Sequence, residues 1–195
     1  MKKVELVLGI AGIISTMMLL FLIPFGGQLA LISLGTLSMF YMFFGILVFN
    51  NISLKSLFFK EDLAKILSLN FIGTVGMSFA ISSALIGILF KILRWPNANF
   101  MLAFGLFFML NIFMIAFFRH HKSNSENYKI IFKRVIIIGG ACLILFFIPN
   151  DKILEFKYRN YPSYIEAVKK YNTDPSNREL QEEVRREKIK WNLAR

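Results

Sequence analysis

Carboxylates are scarce in most of this 195-residue chain, because the first 149 residues hold only four of its twelve Asp and Glu residues. A domain that folds in water needs a more charged surface than this. Hydrophobic residues instead make up 56% of the chain, and the mean hydropathy is +0.57. The excess of apolar surface predicts a protein that lies in a lipid bilayer.

Cysteine is almost absent, and several chemical motifs are missing altogether. The single Cys142 excludes an intrachain disulfide and a metal site built from several cysteines, so we expect it to be a small packing residue. The sequence has no phosphate-binding loop, no Gly-x-Ser-x-Gly motif and no His-Glu-x-x-His motif. We therefore predict no enzymatic activity, no catalytic residues, no metal and no cofactor.

The net charge of +11 does not indicate nucleic-acid binding. The basic residues cluster at the ends of apolar runs, as in membrane proteins, and they do not form one basic face with interleaved aromatic residues. His120 and His121 are neighbours that point about 100° apart on a helix, so they cannot bind one metal as a pair four residues apart could. We expect them to lie at the membrane interface.

Long apolar runs predict an all-α, multi-pass transmembrane helical bundle. Its five spans are expected at about residues 6–25, 29–49, 66–90, 100–118 and 130–148. The fifth run is short, and it crosses only if Lys133 and Arg134 reach the interface with their long side chains. The chain then divides into a transmembrane domain, residues 1–149, and a soluble charged tail, residues 150–195.

The connections between the spans predict the orientation. Ten of the twelve Lys and Arg residues before residue 150 fall on the side of the N-terminus, and only Lys91 and Arg94 fall on the other. Basic connections stay in the cytoplasm, so we expect a cytoplasmic N-terminus. Five spans would place the tail in the periplasm, whereas four would leave it in the cytoplasm.

Two segments outside the spans have helical patterns. Residues 52–65 alternate apolar and charged side chains, which favours an amphipathic helix on the inner leaflet, with a solvated linker as the alternative. In the tail we predict helices over residues 163–171 and 176–191, with Ser176 and Glu179 as a capping box. The stretch YIEAVKKYNTDPSN resembles the junction of two tetratricopeptide repeats. One repeat buries little surface, so we expect a helical hairpin that leans on the membrane domain or on a partner.

Polar and small residues within the spans predict helix packing. Small residues recur at helical spacing in the third span, namely Gly76, Ala80, Ser83, Ala84 and Gly87. Asn70 and Asn111 are the amides of the third and fourth spans. Such groups usually hydrogen-bond neighbouring helices, and the alternative is that they line a transport path.

The most specific stretch is GILFKILRWPNANFMLAFGL, residues 87–106, which turns between the third and fourth spans through Lys91, Arg94, Trp95 and Pro96. It resembles the N-terminal helical hairpin of the GldL family, a membrane stator component of the Bacteroidetes gliding-motility and type IX secretion motor. The matching residues are Gly87, Leu89, Phe90, Lys91, Ile92, Trp95, Pro96, Ala98, Met101, Leu102, Gly105 and Leu106. The resemblance implies a membrane hairpin in a bacterial inner (cytoplasmic) membrane. We separately expect the turn to be a site of partner contact.

One position changes what the resemblance implies about function. The family carries an acidic residue shortly after the Gly-Leu pair, where this chain has Met109. A methionine cannot exchange a proton, so the motor activity is not carried over. We therefore expect a non-enzymatic accessory, assembly or scaffold component whose partners are the bilayer and either further copies of itself or other membrane proteins. The alternative is a small oligomeric transporter or channel.

Overall fold

Long apolar helices form most of the computed structural model, which describes residues 1–49, 71–122 and 132–193. The first four are α1 (Lys2–Leu20), α2 (Gly26–Phe49), α3 (Phe71–Leu93) and α4 (Ala98–Lys122). Each contains at least 18 residues that are apolar enough to cross a membrane. The prediction of an all-α fold with membrane-spanning helices is confirmed, and the described residues contain no strand.

A fifth helical segment, Phe132–Phe147, follows. It contains a π-helical turn, Val135–Gly139, and continues as α5 (Gly140–Phe147). The segment is long and apolar enough to cross a membrane only when it is counted together with the next helix, α6 (Asn150–Lys157). This helix bends away from it by 92°. The described helices therefore provide four spans, or five if this bent pair counts as one.

Two turns join the four long helices into hairpins, and they have the same backbone conformation. Leu22 and Phe25 in the first turn have φ values of 57° and 64°. Arg94 and Asn97 in the second turn both have 58°. In each turn a proline lies between these two residues, and each residue of the second turn follows its counterpart by 72 positions.

The hydrogen bonds of the two turns are also equivalent. The Ile23 amide donates to the Met18 carbonyl at 2.8 Å, and the Trp95 amide donates to the Phe90 carbonyl at 2.9 Å. This six-residue closure after a left-handed residue is the Schellman ending of a helix. The predicted end of the first span at residue 25 was wrong, because the residues after Leu20 are apolar but belong to this turn.

The α3–α4 hairpin is tightly packed because small residues lie between its helices. A Cβ atom added to Gly105 would lie 2.7 Å from the Cα atom of Ala84, and one added to Gly87 would lie 3.0 Å from that of Leu102. One added to Gly76 would lie 3.1 Å from the side chain of Ile112. The small residues Gly76, Ala84 and Gly87 thus face α4 of the same chain, where they allow close backbone approach.

Hydroxyl groups link the helices at other levels. The Ser15 and Ser33 hydroxyls are 2.9 Å apart between α1 and α2. Those of Ser38 and Ser82 are 2.8 Å apart between α2 and α3, and both are buried. Each bond satisfies polar groups that lipid could not, so the two hairpins pack side by side through α2 and α3.

The tail contains α6, α7 (Pro162–Thr173) and α8 (Arg178–Leu193), of which α6 was not expected. Its buried cluster consists of Leu154, Tyr164, Val168 and Trp191. The predicted capping box was wrong by one position: the side-chain oxygen of Asn177 accepts the bond from the Glu179 amide at 2.9 Å, which makes Asn177 the cap. Ser176 bonds to Asp174 instead.

The tail lies at the end of the bundle that carries the two hairpin turns. The rings of Phe21 and Phe156 are 6.4 Å apart, and the Arg159 guanidinium lies 5.8 Å from the Phe21 ring. The opposite end of the fifth segment contacts α4, where the rings of Phe132 and Phe113 are 5.2 Å apart. The fifth segment therefore runs from one end of the bundle to the other.

We predict that Gly105→Ala destabilises the protein by about 1–3 kcal/mol, because the added methyl group would meet the backbone of Ala84 and overpack the hairpin. Gly73→Ala is the matched control, since a Cβ atom at Gly73 meets no atom within 4 Å. Thermal unfolding in detergent measures both. Equal stability of the two variants would contradict the close approach of α3 and α4.

Candidate functional site

An ion pair joins the first hairpin to the fifth segment. The Nη2 atom of Arg134 lies 2.5 Å from the Oε2 atom of Glu5, and its Nε atom donates to Oε1 at 2.7 Å. The two side chains are only 13% and 18% exposed. This two-pronged geometry is the strongest form of carboxylate–guanidinium contact.

Aromatic side chains of α2 enclose the pair. The Tyr41 hydroxyl donates to Glu5 Oε1 at 2.5 Å, and the Arg134 Nε atom lies 3.3 Å from the same hydroxyl. The Arg134 guanidinium also lies 5.4 Å from the ring centroid of Phe49. We call Glu5, Tyr41 and Arg134 the polar cluster.

Glu5 of the polar cluster lies within Lys3–Leu20, the part of α1 that is long and apolar enough to cross a membrane. Glu5 is fifteen residues before the end of α1 at Leu20, which places it about 23 Å from the hairpin turn at 1.5 Å per residue. The hydrocarbon core of a bilayer is about 30 Å thick. A charged pair at this depth is costly, and such groups are usually retained for a structural or functional reason.

The π-helical turn directly follows Arg134 and separates two contacts of the fifth segment. Arg134 faces Glu5 before the turn, and the Cys142 thiol donates to the Ala84 carbonyl at 3.4 Å after it. A π-turn inserts an extra residue into the helix and so changes which faces point at the bundle. The insertion lets one short segment contact both α1 and α3.

Sequence reasoning missed the polar cluster. Arg134 was expected to reach the membrane interface with its long side chain, whereas it turns inward to Glu5. Two signals were available: Glu5 is the only acidic residue before residue 61, and Arg134 adjoins an apolar run too short to span alone. Neither signal indicates that residues so far apart in sequence are neighbours.

The second hairpin turn holds another buried cation. The side chain of Lys91 is fully buried, and its Nζ atom donates to Asn99 Oδ1 at 2.5 Å. The charged end of Lys91 is therefore bound within the second hairpin. Trp95 is 41% exposed and contacts Phe90, with ring centroids 4.9 Å apart, while Pro96 is exposed beside it.

This hairpin is where the chain is similar to a known family. Residues 76–134 match the GldL N-terminal domain. The expected resemblance is confirmed, and it extends from within α3 to Arg134 at the start of the fifth segment. The match covers less than a third of the chain. No curated protein and no solved structure shows significant similarity to the chain.

Within the GldL-like segment, Met109 occupies the position where that family was expected to carry an acidic residue. Its side chain is 1% exposed. The Met109 Cε atom would lie 3.5 Å from a Cβ atom built on Gly139, so the position faces the fifth segment. An apolar side chain thus fills the space between α4 and the fifth segment.

The other predicted residues that the structure describes do not form one site. Ala80 is fully buried and Ser83 is half-buried in α3, while Asn111 is exposed on α4 and donates to the Phe107 carbonyl of its own helix at 2.7 Å. Asn111 therefore does not link α4 to a neighbouring helix of the chain in this way. Asn70, the predicted amphipathic helix at residues 52–65 and the side chains of His120 and His121 lie outside the described residues.

We predict that Glu5→Gln and Arg134→Gln each destabilise the protein by about 3 kcal/mol, because each leaves a largely buried charge without its partner. The double variant should be less destabilised than the sum of the two, with a coupling of about 1–3 kcal/mol. Unfolding in mixed detergent micelles measures the cycle, and Lys133→Gln, at an exposed neighbour, is the control. If the effects of the two substitutions on stability were additive, the Glu5–Arg134 pair would not contribute to holding the fifth segment on α1.

Proposed function

We propose that this chain is a non-enzymatic, multi-pass protein of a bacterial inner membrane of the Bacteroidetes type. In this proposal it is an accessory, assembly or scaffold component related to GldL. The N-terminus is cytoplasmic, and the tail, which is expected to be a separate soluble unit, lies in the periplasm. The tail and the exposed Trp95-Pro96 turn then lie on the same side, where they are available to partners.

The observation that carries this proposal is the packing of Met109. A proton-driven function needs a titratable group that can exchange protons with each side of the membrane in turn. Met109 has no such group, and its contact with Gly139 fills the surrounding space with apolar atoms. In this proposal the hairpin of the GldL-like segment has a structural role and does not transfer protons.

The polar cluster supports the same reading. Glu5 is the one carboxylate within the described helices α1–α5, and it is bound by a guanidinium, which is permanently charged in proteins. A carboxylate used for proton transfer must lose and regain its proton, and a permanent cation on both of its oxygens opposes that. The cluster therefore fits an anchor between helices.

The alternative is a small oligomeric transporter or channel. Asn111 favours it, because an exposed amide on a membrane-spanning helix gains from a partner outside the chain. The same observation also fits a scaffold that forms homo-oligomers through α4. Flux and self-association must therefore be measured separately.

We predict no protein-dependent proton flux. The full chain, reconstituted in liposomes that contain a pH-sensitive dye, should take up protons under a potassium diffusion potential no faster than protein-free liposomes do. An uncoupler added at the end verifies that the dye responds. Proton uptake that requires the protein would contradict the scaffold proposal.

Asn111→Leu separates the two roles of the α4 surface. If the amide joins subunits of a scaffold, the variant should form weaker oligomers in mild detergent and still conduct nothing. Met114→Leu, a change at another exposed position of α4, is the matched control. A flux in the native chain that Asn111→Leu abolishes would establish the transport alternative.

A further inference from the structure

The fifth segment has an irregular backbone at the point where it binds the first hairpin. Arg134 contacts Glu5, and the π-helical turn Val135–Gly139 begins at the next residue. Beyond the turn, the Cys142 thiol binds the Ala84 carbonyl of α3. A π-helical turn is rare, holds one residue more than an α-helical turn and is often found at functional sites. Its position between these two contacts therefore needs a physical reason.

The extra residue explains how the segment makes both contacts at once. Arg134 and Cys142 are eight residues apart. Successive residues of a regular α-helix turn by about 100°, so eight steps would leave the two side chains about 80° apart. When the π-helical turn absorbs one residue, the offset corresponds to about seven steps and falls to about 20°. The turn thus brings Arg134 and Cys142 onto the face of the segment that contacts the bundle.

A regular α-helix through the same residues would bring Val135 into the place of Arg134. Counted back from Cys142, Val135 is seven residues away, which is the spacing of side chains that share one face of an α-helix. Arg134 would then take the exposed place that Lys133 has now. The segment therefore has two possible registers, which share the Cys142 contact and place either Arg134 or Val135 against Glu5.

The charge of Glu5 determines which register is favoured. A carboxylate at this largely buried position requires the guanidinium, which holds Arg134 inward. A neutral carboxyl group requires no cation, and the Tyr41 hydroxyl, which already contacts its Oε1 atom, remains as a hydrogen-bond partner. Val135 already packs against the buried core of the bundle, so an apolar side chain is compatible with this environment. Arg134 would then extend its long side chain towards the membrane interface.

We propose that the π-helical turn is a register switch controlled by the charge of Glu5. When Glu5 is charged, Arg134 faces inward and the π-helical turn is present. When Glu5 is neutral, the turn relaxes to an α-helix, Val135 faces inward and the cation of Arg134 is exposed at the end of the bundle opposite to the tail. The contact of Cys142 with Ala84 is kept in both registers, so the tail end of the segment stays in place.

Cysteine cross-linking between α4 and the fifth segment measures the register. The rings of Phe113 and Phe132 are 5.2 Å apart, so Phe113→Cys combined with Phe132→Cys should cross-link when the π-helical turn is present. After the shift, Lys133 occupies the place of Phe132, so Phe113→Cys combined with Lys133→Cys should cross-link instead. Cys142→Ser in all variants removes the native thiol and retains a hydroxyl that can donate to the Ala84 carbonyl.

Both cysteine pairs are oxidised in the full chain in liposomes, with Glu5 or with its neutral mimic, Glu5→Gln. The chain with Glu5 should favour the Phe132→Cys pair, and Glu5→Gln should favour the Lys133→Cys pair. Glu5→Gln stays less stable than the native chain, because the shift also separates the Phe113 and Phe132 rings. Tyr41→Phe is the matched control, since it removes a hydroxyl from the polar cluster, leaves the ion pair and should not change the preference. An unchanged preference in Glu5→Gln would overturn the proposal.

Deletion of Ile137 tests whether the π-helical turn itself is required. Ile137 is an exposed residue inside the turn, and its removal leaves a segment in which a regular α-helix keeps Arg134 against Glu5. The deletion variant should retain its fold in thermal unfolding and cross-link through Phe132→Cys, whether residue 5 is Glu or Gln. Loss of this cross-link while residue 5 is Glu, or a shift to Lys133→Cys with Glu5→Gln, would contradict the switch.

Discussion

The ion pair between Glu5 and Arg134 joins the beginning of the fifth segment to α1 and so helps to place the last part of the chain. The fifth segment contains a π-helical turn, and by itself it is shorter than the other membrane-spanning helices. Its beginning is bound to α1 by Arg134, and its middle is bound to α3 by Cys142. The segment is held at these two points and runs towards the hairpin turns, so the tail lies at that end of the bundle.

The rest of the membrane domain has a repeated construction. Both hairpins end their first helix with a left-handed residue, continue through a proline and begin the second helix after another left-handed residue. Small residues then bring the two helices of each hairpin together: Gly12 faces Leu34 in the first, and Gly105 faces Ala84 in the second. Only the second lies in the segment that matches the GldL N-terminal domain. Its turn carries Arg94 and Trp95 where the first turn carries Leu22 and Ile23.

The sequence predicted the helices well, because a run of about 20 apolar residues has few other structures available to it. It misplaced the end of α1, since apolar turn residues look like helix in a hydropathy pattern. The sequence also did not predict the contact of Glu5 with Arg134 or the burial of Lys91 against Asn99, because these contacts depend on how the helices pack. The close approach of α3 and α4 was predictable from the small residues, but the identity of the partner helix was not.

The side of the membrane that the tail occupies shows directly whether the fifth segment crosses the membrane. Alkaline phosphatase and a fluorescent protein that is bright only in the cytoplasm can each be fused after Arg195. Five crossings with a cytoplasmic N-terminus predict an active phosphatase and a dark fluorescent protein. A bright fluorescent protein with an inactive phosphatase would contradict the fifth crossing, and with it the placement of the tail beside the hairpin turns.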